Sequence, residues 1–168
     1  MNDEQRWASA VTAAGAAYER LPAGTGAELD AVIKQIMGHK QELVELALAA
    51  GSASICRGCG GECCLSGKYH VSVLDLLSYR IAAADPVAPN FGAAPACPYS
   101  GMSGCLMPPR FRPMTCVVFN CELIEGRMGP NERAALYERE NLLREAIAQA
   151  NRIAGSRLDR ALLLSCDA

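Results

Sequence analysis

Apolar side chains recur every three or four positions near the start of the chain, which is the period of an amphipathic helix. In residues 3–21 this stripe comprises Trp7, Val11, Ala14, Tyr18 and Leu21. In residues 27–50 it comprises Leu29, Val32, Ile33, Ile36, Lys40, Leu43, Val44 and Ala47. Pro22 and the run Gly24-Thr25-Gly26 predict a turn between the two helices, and Gly51 predicts the end of the second.

The same period returns in the second half of the chain. Ser72 and Asp75 form a capping-box pattern for a helix that ends before Pro86. Pro130 predicts the start of a long helix, and its apolar stripe comprises Leu136, Leu143, Ala146, Ile147, Ala150 and Ile153. A shorter helix is predicted over about 156–165, and residues 68–73 are predicted to be extended. These patterns indicate a mainly α fold, a small helical bundle.

Between the helical flanks lies a segment without a regular apolar period. Residues 85–115 are rich in Pro, Gly and Ala, and a loop of that length is unusual without an internal organiser. We expect residues 1–168 to form a single domain. Within it, an irregular cysteine-rich segment, 56–121, would connect the helical flanks 3–50 and 130–165.

Composition narrows the classes of function. Hydrophobic residues make up 51% of the 168 residues and charged residues 20%, so a buried core is expected rather than disorder. The net charge of −2 disfavours a nucleic-acid partner. No apolar run has the roughly 20 residues that would span a bilayer, so no membrane partner is expected. The N-terminus lacks the pattern of a secretory signal, and we therefore expect a cytoplasmic protein.

Eight of the nine cysteines lie in the cysteine-rich segment, in two groups. They are Cys56, Cys59, Cys63 and Cys64, followed by Cys97, Cys105, Cys116 and Cys121. Thiols stay reduced in the cytosol, where clustered cysteines bind metal more often than they form disulfides. All eight are therefore candidate metal ligands. Cys166 stands apart and is expected to be a packing residue or a free thiol.

The spacing constrains how these thiols could bind. Two cysteines separated by two residues can direct both sulfurs at one ion, and zinc and iron–sulfur clusters each take four thiolates. Cys63 and Cys64 are adjacent, and consecutive side chains usually diverge, so they would serve different centres or one would be spare. Two four-thiolate sites and a single site with spare thiols both stay open, as do zinc and iron–sulfur. His70 is a further nitrogen candidate, although the thiols already suffice.

Four thiolates around Zn²⁺ have a formal charge of −2, which nearby cations and N–H donors would offset. Basic residues within the cysteine-rich segment are placed to do so. They are Arg57, Lys68, Arg110 and Arg112. For Arg57 and Lys68, simple surface solvation is an equally good interpretation. For Arg112 a structural role is favoured, because its Arg-Pro falls inside a motif that resembles one of a known family.

The cysteine-rich segment also resembles a known family. Its first part is Cys56-x2-Cys59-x3-Cys63-Cys64, and its later motifs are Cys97-Pro98, Gly104-Cys105 and Arg112-Pro113-Met114-Thr115-Cys116. Together and in this order they resemble the YkgJ-type cysteine-cluster family, which is described as zinc- or iron-chelating. The chain departs from it at Val117 and Asn120, where family members often have Arg and Pro. The resemblance implies a metal centre but no defined reaction.

The sequence thus predicts a metal-binding protein with one or two Cys-ligated centres, used in metal chelation or handling. Metal binding would close the irregular segment and couple binding to its folding. One alternative is an iron–sulfur enzyme for redox or group-transfer chemistry, as in a flagellin lysine methylase that resembles the family. Another is an interaction module with structural zinc, which binds a protein partner or a second copy of itself. The sequence has no Gly-rich phosphate loop, which would have favoured catalysis.

Overall fold

The computed structural model describes residues 1–164. Its helices are α1 (Asp3–Glu19), α2 (Ala23–Ala49), α3 (Ser52–Gly58), α4 (Val73–Ile81), α5 (Met114–Val118), α6 (Glu122–Glu125) and α7 (Pro130–Ala154). Its strands β1 (Ser100–Gly101) and β2 (Gly104–Cys105) pair antiparallel, with Ser100 opposite Cys105. Short 3-10 helices occupy Glu62–Cys64, Gly67–Tyr69, Phe91–Ala93, Pro109–Phe111 and Leu162–Leu164. The predicted mainly α helical bundle is confirmed.

The long helices α2 and α7 pack against each other and form the main core. Their apolar stripes meet there, including Leu29, Ile33, Ile36, Leu43, Leu136, Leu143, Ile147 and Ala150. Burying a side chain such as Leu or Ile contributes about 1.5–3 kcal/mol relative to leaving it exposed. The cysteine-rich segment adds Val117 and Ile124 to this core. The packed helices α2 and α7 therefore form the surface against which the irregular segment packs.

Two smaller apolar clusters extend this surface towards the cysteines. Residues of α1 and α4 meet Leu162, with Ala14 and Leu76 buried between them. The other cluster comprises Met37, Val71, Tyr79, Tyr99, Met107 and Phe111, and Cys97 packs against it. The rings of Tyr79 and Phe111 are stacked, with their centroids 4.0 Å apart. This second cluster connects the bundle to the loop that holds Cys97.

A buried ion pair connects α2 to the start of α4. Lys40 lies in the apolar stripe of α2, and its Nζ is 2.5 Å from Oδ1 of Asp75, with side chains 0% and 2% exposed. Asp75 Oδ2 also accepts hydrogen bonds from the backbone N–H and the hydroxyl of Ser72, each at 2.8 Å. The predicted capping box is thus present. The lysine neutralises the capping carboxylate inside the core.

Several predicted boundaries differ from the structure. Helix α2 begins at Ala23 because the predicted turn 24–26 forms its first helical turn, where glycines are tolerated. Helix α4 ends at Ile81, well before Pro86. The short helices α3, α5 and α6 were not predicted, because segments of four to seven residues are too short to show a clear apolar period.

Two predicted elements are wrong. Residues 156–160 are not helical: Gly155 ends α7 with φ of +64°, and the Asn151 side chain accepts a hydrogen bond from the Leu158 N–H. The chain then enters only the short 3-10 helix 162–164. Residues 68–73 do not form one extended segment: 67–69 form a 3-10 helix, α4 begins at Val73, and between them Ser72 is extended and makes an isolated bridge with Ala161.

We expect Lys40→Met to lower the free energy of unfolding by about 3–5 kcal/mol, because the substitution leaves the Asp75 carboxylate buried without its counter-charge. Lys34→Met is the matched control, since Lys34 lies on the exposed face of the same helix and its loss should change the free energy by less than about 0.5 kcal/mol. Urea unfolding followed by circular dichroism measures both. Equal effects would contradict the buried-pair assignment.

Candidate metal centre

Short elements hold the first four cysteines. Cys56 lies in α3, Cys59 is the residue that ends it, and the 3-10 helix 62–64 contains Cys63 and Cys64. Between them, Gly60 and Gly61 have φ of +67° and +77°. Side chains with a Cβ rarely adopt this left-handed conformation, so the two glycines allow the sharp turn that returns Cys63 towards α3. The eight cysteines of the described residues are free thiols.

Cys121 lies beside this group although it is distant in sequence. It is the N-cap residue of α6, and α6 packs on α3. A shallow cleft between the two helices is lined by both Cys59 and Leu123. The pKa of the Cys56 thiol is raised, first by burial and then by the charges of Cys63, Cys59 and Cys121. We call Cys56, Cys59, Cys63 and Cys121 the first tetrad.

The other four thiols surround the turn formed by residues 67–70. A Cβ added at Gly67 would lie 2.3 Å from the sulfur of Cys97, so this glycine permits the close approach. At the other end of the turn, Nδ1 of His70 is 3.3 Å from the sulfur of Cys116. The β hairpin brings Cys105 opposite Ser100, whose N–H and hydroxyl both donate to the Cys97 carbonyl.

Electrostatic effects among the thiols identify the same set. Burial raises the pKa of the Cys116 thiol most, followed by the charges of Cys105 and Cys97 and, more weakly, Cys64. Burial also raises the pKa of Cys64, and Cys63, Cys97 and Cys105 add to it. The pKa of the Cys97 thiol is raised by burial and by the charge of Cys105. Every pair among Cys64, Cys97, Cys105 and Cys116 therefore interacts, and we call these four the second tetrad.

The donor chemistry of both tetrads suits soft or borderline metals. Four thiols without a carboxylate fit zinc or an iron–sulfur cluster and do not fit the oxygen-preferring Mg²⁺ or Ca²⁺. Within residues 1–164, no three Cys, His, Asp or Glu side chains converge tightly enough to grip an ion in their present positions. The thiols are thus close enough to interact electrostatically, and metal binding would require the distances between their sulfurs to shorten.

The basic residues behave differently from one another. Arg112 lowers the pKa of Cys56 through its charge, and its Nε donates to the Met107 carbonyl at 3.0 Å. Lys68 instead pairs with Asp3 at 2.5 Å. Arg57 donates to the Ala53 carbonyl of its own helix, and Arg110 lies over the ring of Phe111. Arg112 is accordingly the expected charge partner that acts on a candidate ligand.

His70 has a closer relation to the thiols than the sequence indicated. The sequence predicted an extended segment at this position, yet His70 follows a 3-10 turn and contacts Cys116. Burial lowers the pKa of its imidazole. The available sequence signal was its place six residues after Cys64. Nδ1 of His39, by contrast, lies 3.1 Å from the Arg139 guanidinium of α7.

Comparison of the chain with family models, with curated proteins and with solved structures finds no match. The resemblance to the YkgJ-type family therefore stays a prediction from its motifs. Among the helices within residues 1–164, none combines the length and the apolar character needed to cross a membrane. Cys166 lies outside the described residues.

Gly67→Ala should displace Cys97, because the new methyl would lie 2.3 Å from its sulfur and 3.1 Å from its Cβ. We expect destabilisation of about 1–3 kcal/mol, typical of overpacking, and faster alkylation of Cys97. Gly58→Ala is the control, since a Cβ there meets nothing within 4 Å. Peptide mass spectrometry after a short iodoacetamide pulse measures the alkylation rate. An unchanged rate for Cys97 in Gly67→Ala would refute this packing.

Proposed function

We propose that this chain is a metal-binding protein whose thiols at Cys56–Cys121 hold Cys-ligated zinc or iron–sulfur, and that it serves metal chelation or handling. The observation that supports this proposal is the gathering of eight free thiols from separate short elements into two neighbouring sets. Their sequence positions extend over most of the irregular segment. A structural role in the apolar core does not explain them, because none of the eight residues is fully buried.

The electrostatics of the thiols agree with cation binding. Burial and neighbouring thiolate charges raise the pKa of Cys56, Cys64, Cys97 and Cys116, which opposes their ionisation. A bound divalent cation has the opposite effect and deprotonates coordinating thiols. Metal would therefore displace protons from these groups, and its affinity would rise with pH. These thiols would therefore be protonated without metal and ionised when metal is bound.

The cellular setting follows from the same chemistry. We propose a cytoplasmic location, where reducing conditions keep exposed thiols available for metal. Membership of the YkgJ-type family, with its zinc- or iron-chelating description, is likewise a proposal and rests on the cysteine motifs. An iron–sulfur enzyme stays a further prediction.

A second candidate is an interaction module in which zinc is structural. Apolar side chains within two residues of a cysteine in sequence are exposed, including Leu65 (53%), Leu106 (56%), Phe119 (56%) and Leu123 (64%). Exposed apolar surface, where it is contiguous, often marks a protein interface. This observation favours a protein partner, or a second copy of the chain, that binds beside the thiols.

Removing one proposed ligand tests metal binding directly. We expect Cys59→Ser to lower the bound metal per chain, measured for iron, zinc and acid-labile sulfide after anaerobic purification. Cys166→Ser is the matched control and should leave the metal content unchanged, because the sequence sets Cys166 apart from the motifs. Equal metal content in the two variants would refute the ligand assignment.

Metal removal distinguishes the two candidate functions. The main core formed by α2 and α7 contains none of the eight thiols among its fully buried members. For a chelating or handling protein, we therefore expect a strong chelator to strip the metal while the helical circular dichroism signal is retained. Proteolysis within 56–121 should meanwhile become faster, since the segment loses its cross-links. Collapse of the helical signal together with metal loss would favour structural zinc.

A further inference from the structure

We propose that the eight cysteines form two separate four-thiolate centres, one made by the first tetrad and one by the second, with adjacent Cys63 and Cys64 divided between them. This inference rests on the proposed function and specifies which thiols act together. The order of cysteines along the chain does not reveal it. Cys121, the last of the eight, joins three of the earliest, while Cys64 joins the three between.

The division of Cys63 and Cys64 has a simple geometric basis. Both lie in the 3-10 helix Glu62–Cys64, in which successive residues are rotated by about 120° because a turn has three residues. The side chains of Cys63 and Cys64 nevertheless interact with each other, and Cys63 raises the pKa of the Cys64 thiol. Cys63 acts on Cys56 of the first tetrad, whereas Cys64 interacts with Cys97, Cys105 and Cys116. The two sets meet at this adjacent pair, and α3 also contacts β2, so the sets are close neighbours.

Helix packing holds the first tetrad together. Cys59 donates a hydrogen bond through its sulfur to the Cys56 carbonyl at 3.4 Å, so both belong to the same helical end. Ile55, one residue before Cys56, and Cys121 both pack against the main core. Contact between α3 and α6 then brings Cys121 close enough to Cys56 to raise the pKa of that thiol. Arg112 supplies the nearby positive charge, which lowers the pKa of Cys56.

The turn 67–70 organises the second tetrad. Its first residue, Gly67, lies against Cys97, and its last, His70, contacts Cys116. The His70 N–H donates to the Gly67 carbonyl at 3.2 Å, which closes the turn and fixes the separation of those two contacts. Cys64 precedes the turn by three residues, and the hairpin supplies Cys105. An imidazole beside a coordinating thiolate would act as a hydrogen-bond donor to sulfur.

The two centres are nested along the chain. The second tetrad closes a loop from Cys64 to Cys116, and that loop lies inside the segment closed by Cys56 and Cys121. Because all four ligands of the second tetrad lie within the inner loop, loss of the first centre should leave the second intact. The converse also holds, since α3 and α6 meet directly.

Paired substitutions test the partition in the full-length chain. With Zn²⁺ as the probe under anaerobic, reducing conditions, native mass spectrometry should find two bound ions in the unsubstituted protein. Cys56→Ser/Cys59→Ser, within the first tetrad, should retain one ion. Cys97→Ser/Cys105→Ser, within the second, should also retain one. Cys59→Ser/Cys105→Ser, one from each tetrad, should retain none, although it removes the same number of thiols.

Alkylation mapping identifies which thiols each retained ion protects. In Cys56→Ser/Cys59→Ser loaded with Zn²⁺, iodoacetamide should modify Cys63 and Cys121 rapidly while Cys64, Cys97, Cys105 and Cys116 stay protected. Protection of Cys63 together with Cys64 would overturn the partition. So would equal zinc loss in the within-tetrad and cross-tetrad variants, or a single ion in the unsubstituted chain. Failure of the unsubstituted chain to bind Zn²⁺ or, after anaerobic reconstitution, iron and sulfide would overturn the proposed function itself.

Discussion

The buried pair between Lys40 and Asp75 is the constraint on which the rest of the structure depends. A carboxylate that caps a helix usually lies at the surface, where water solvates it, but Asp75 is almost fully buried. Its charge is tolerable there because Lys40 and Ser72 satisfy both oxygens. The pair therefore fixes where α4 begins relative to α2. The turn 67–70 immediately precedes that point, so the position of the second tetrad follows from it.

The same carboxylate connects the core to the thiols electrostatically. The negative charge of Asp75 is among the influences that raise the pKa of Cys116, after burial and the charges of two neighbouring thiols. The bundle thus does more than support the irregular segment, because Asp75 of its central ion pair acts on one candidate ligand, Cys116.

Several of these features could be predicted from the sequence. The helical period placed Lys40 on an apolar stripe, and the spacing of Ser72 and Asp75 predicted the capping box; both are present in the structure. Their pairing could not be predicted, because it joins residues 35 positions apart and depends on how α2 meets α4. The helix expected at 156–165 is absent over 156–160, because the Asn151 side chain competes for backbone hydrogen bonds, which an apolar period does not reveal.

The candidate site, too, has features that the sequence predicted and features that it could not. Residue type and spacing were enough to propose the eight cysteines as ligands, because a thiol can bind metal whatever the fold around it. Their grouping is a tertiary property, because Cys121 reaches the first tetrad only through contact between α3 and α6, two helices too short for prediction. Once Cys63 and Cys64 are divided, any two centres are anchored on consecutive residues and must be near neighbours. Two such anionic centres would repel each other, and the positive charge of Arg112, which lowers the pKa of Cys56, would offset part of that repulsion.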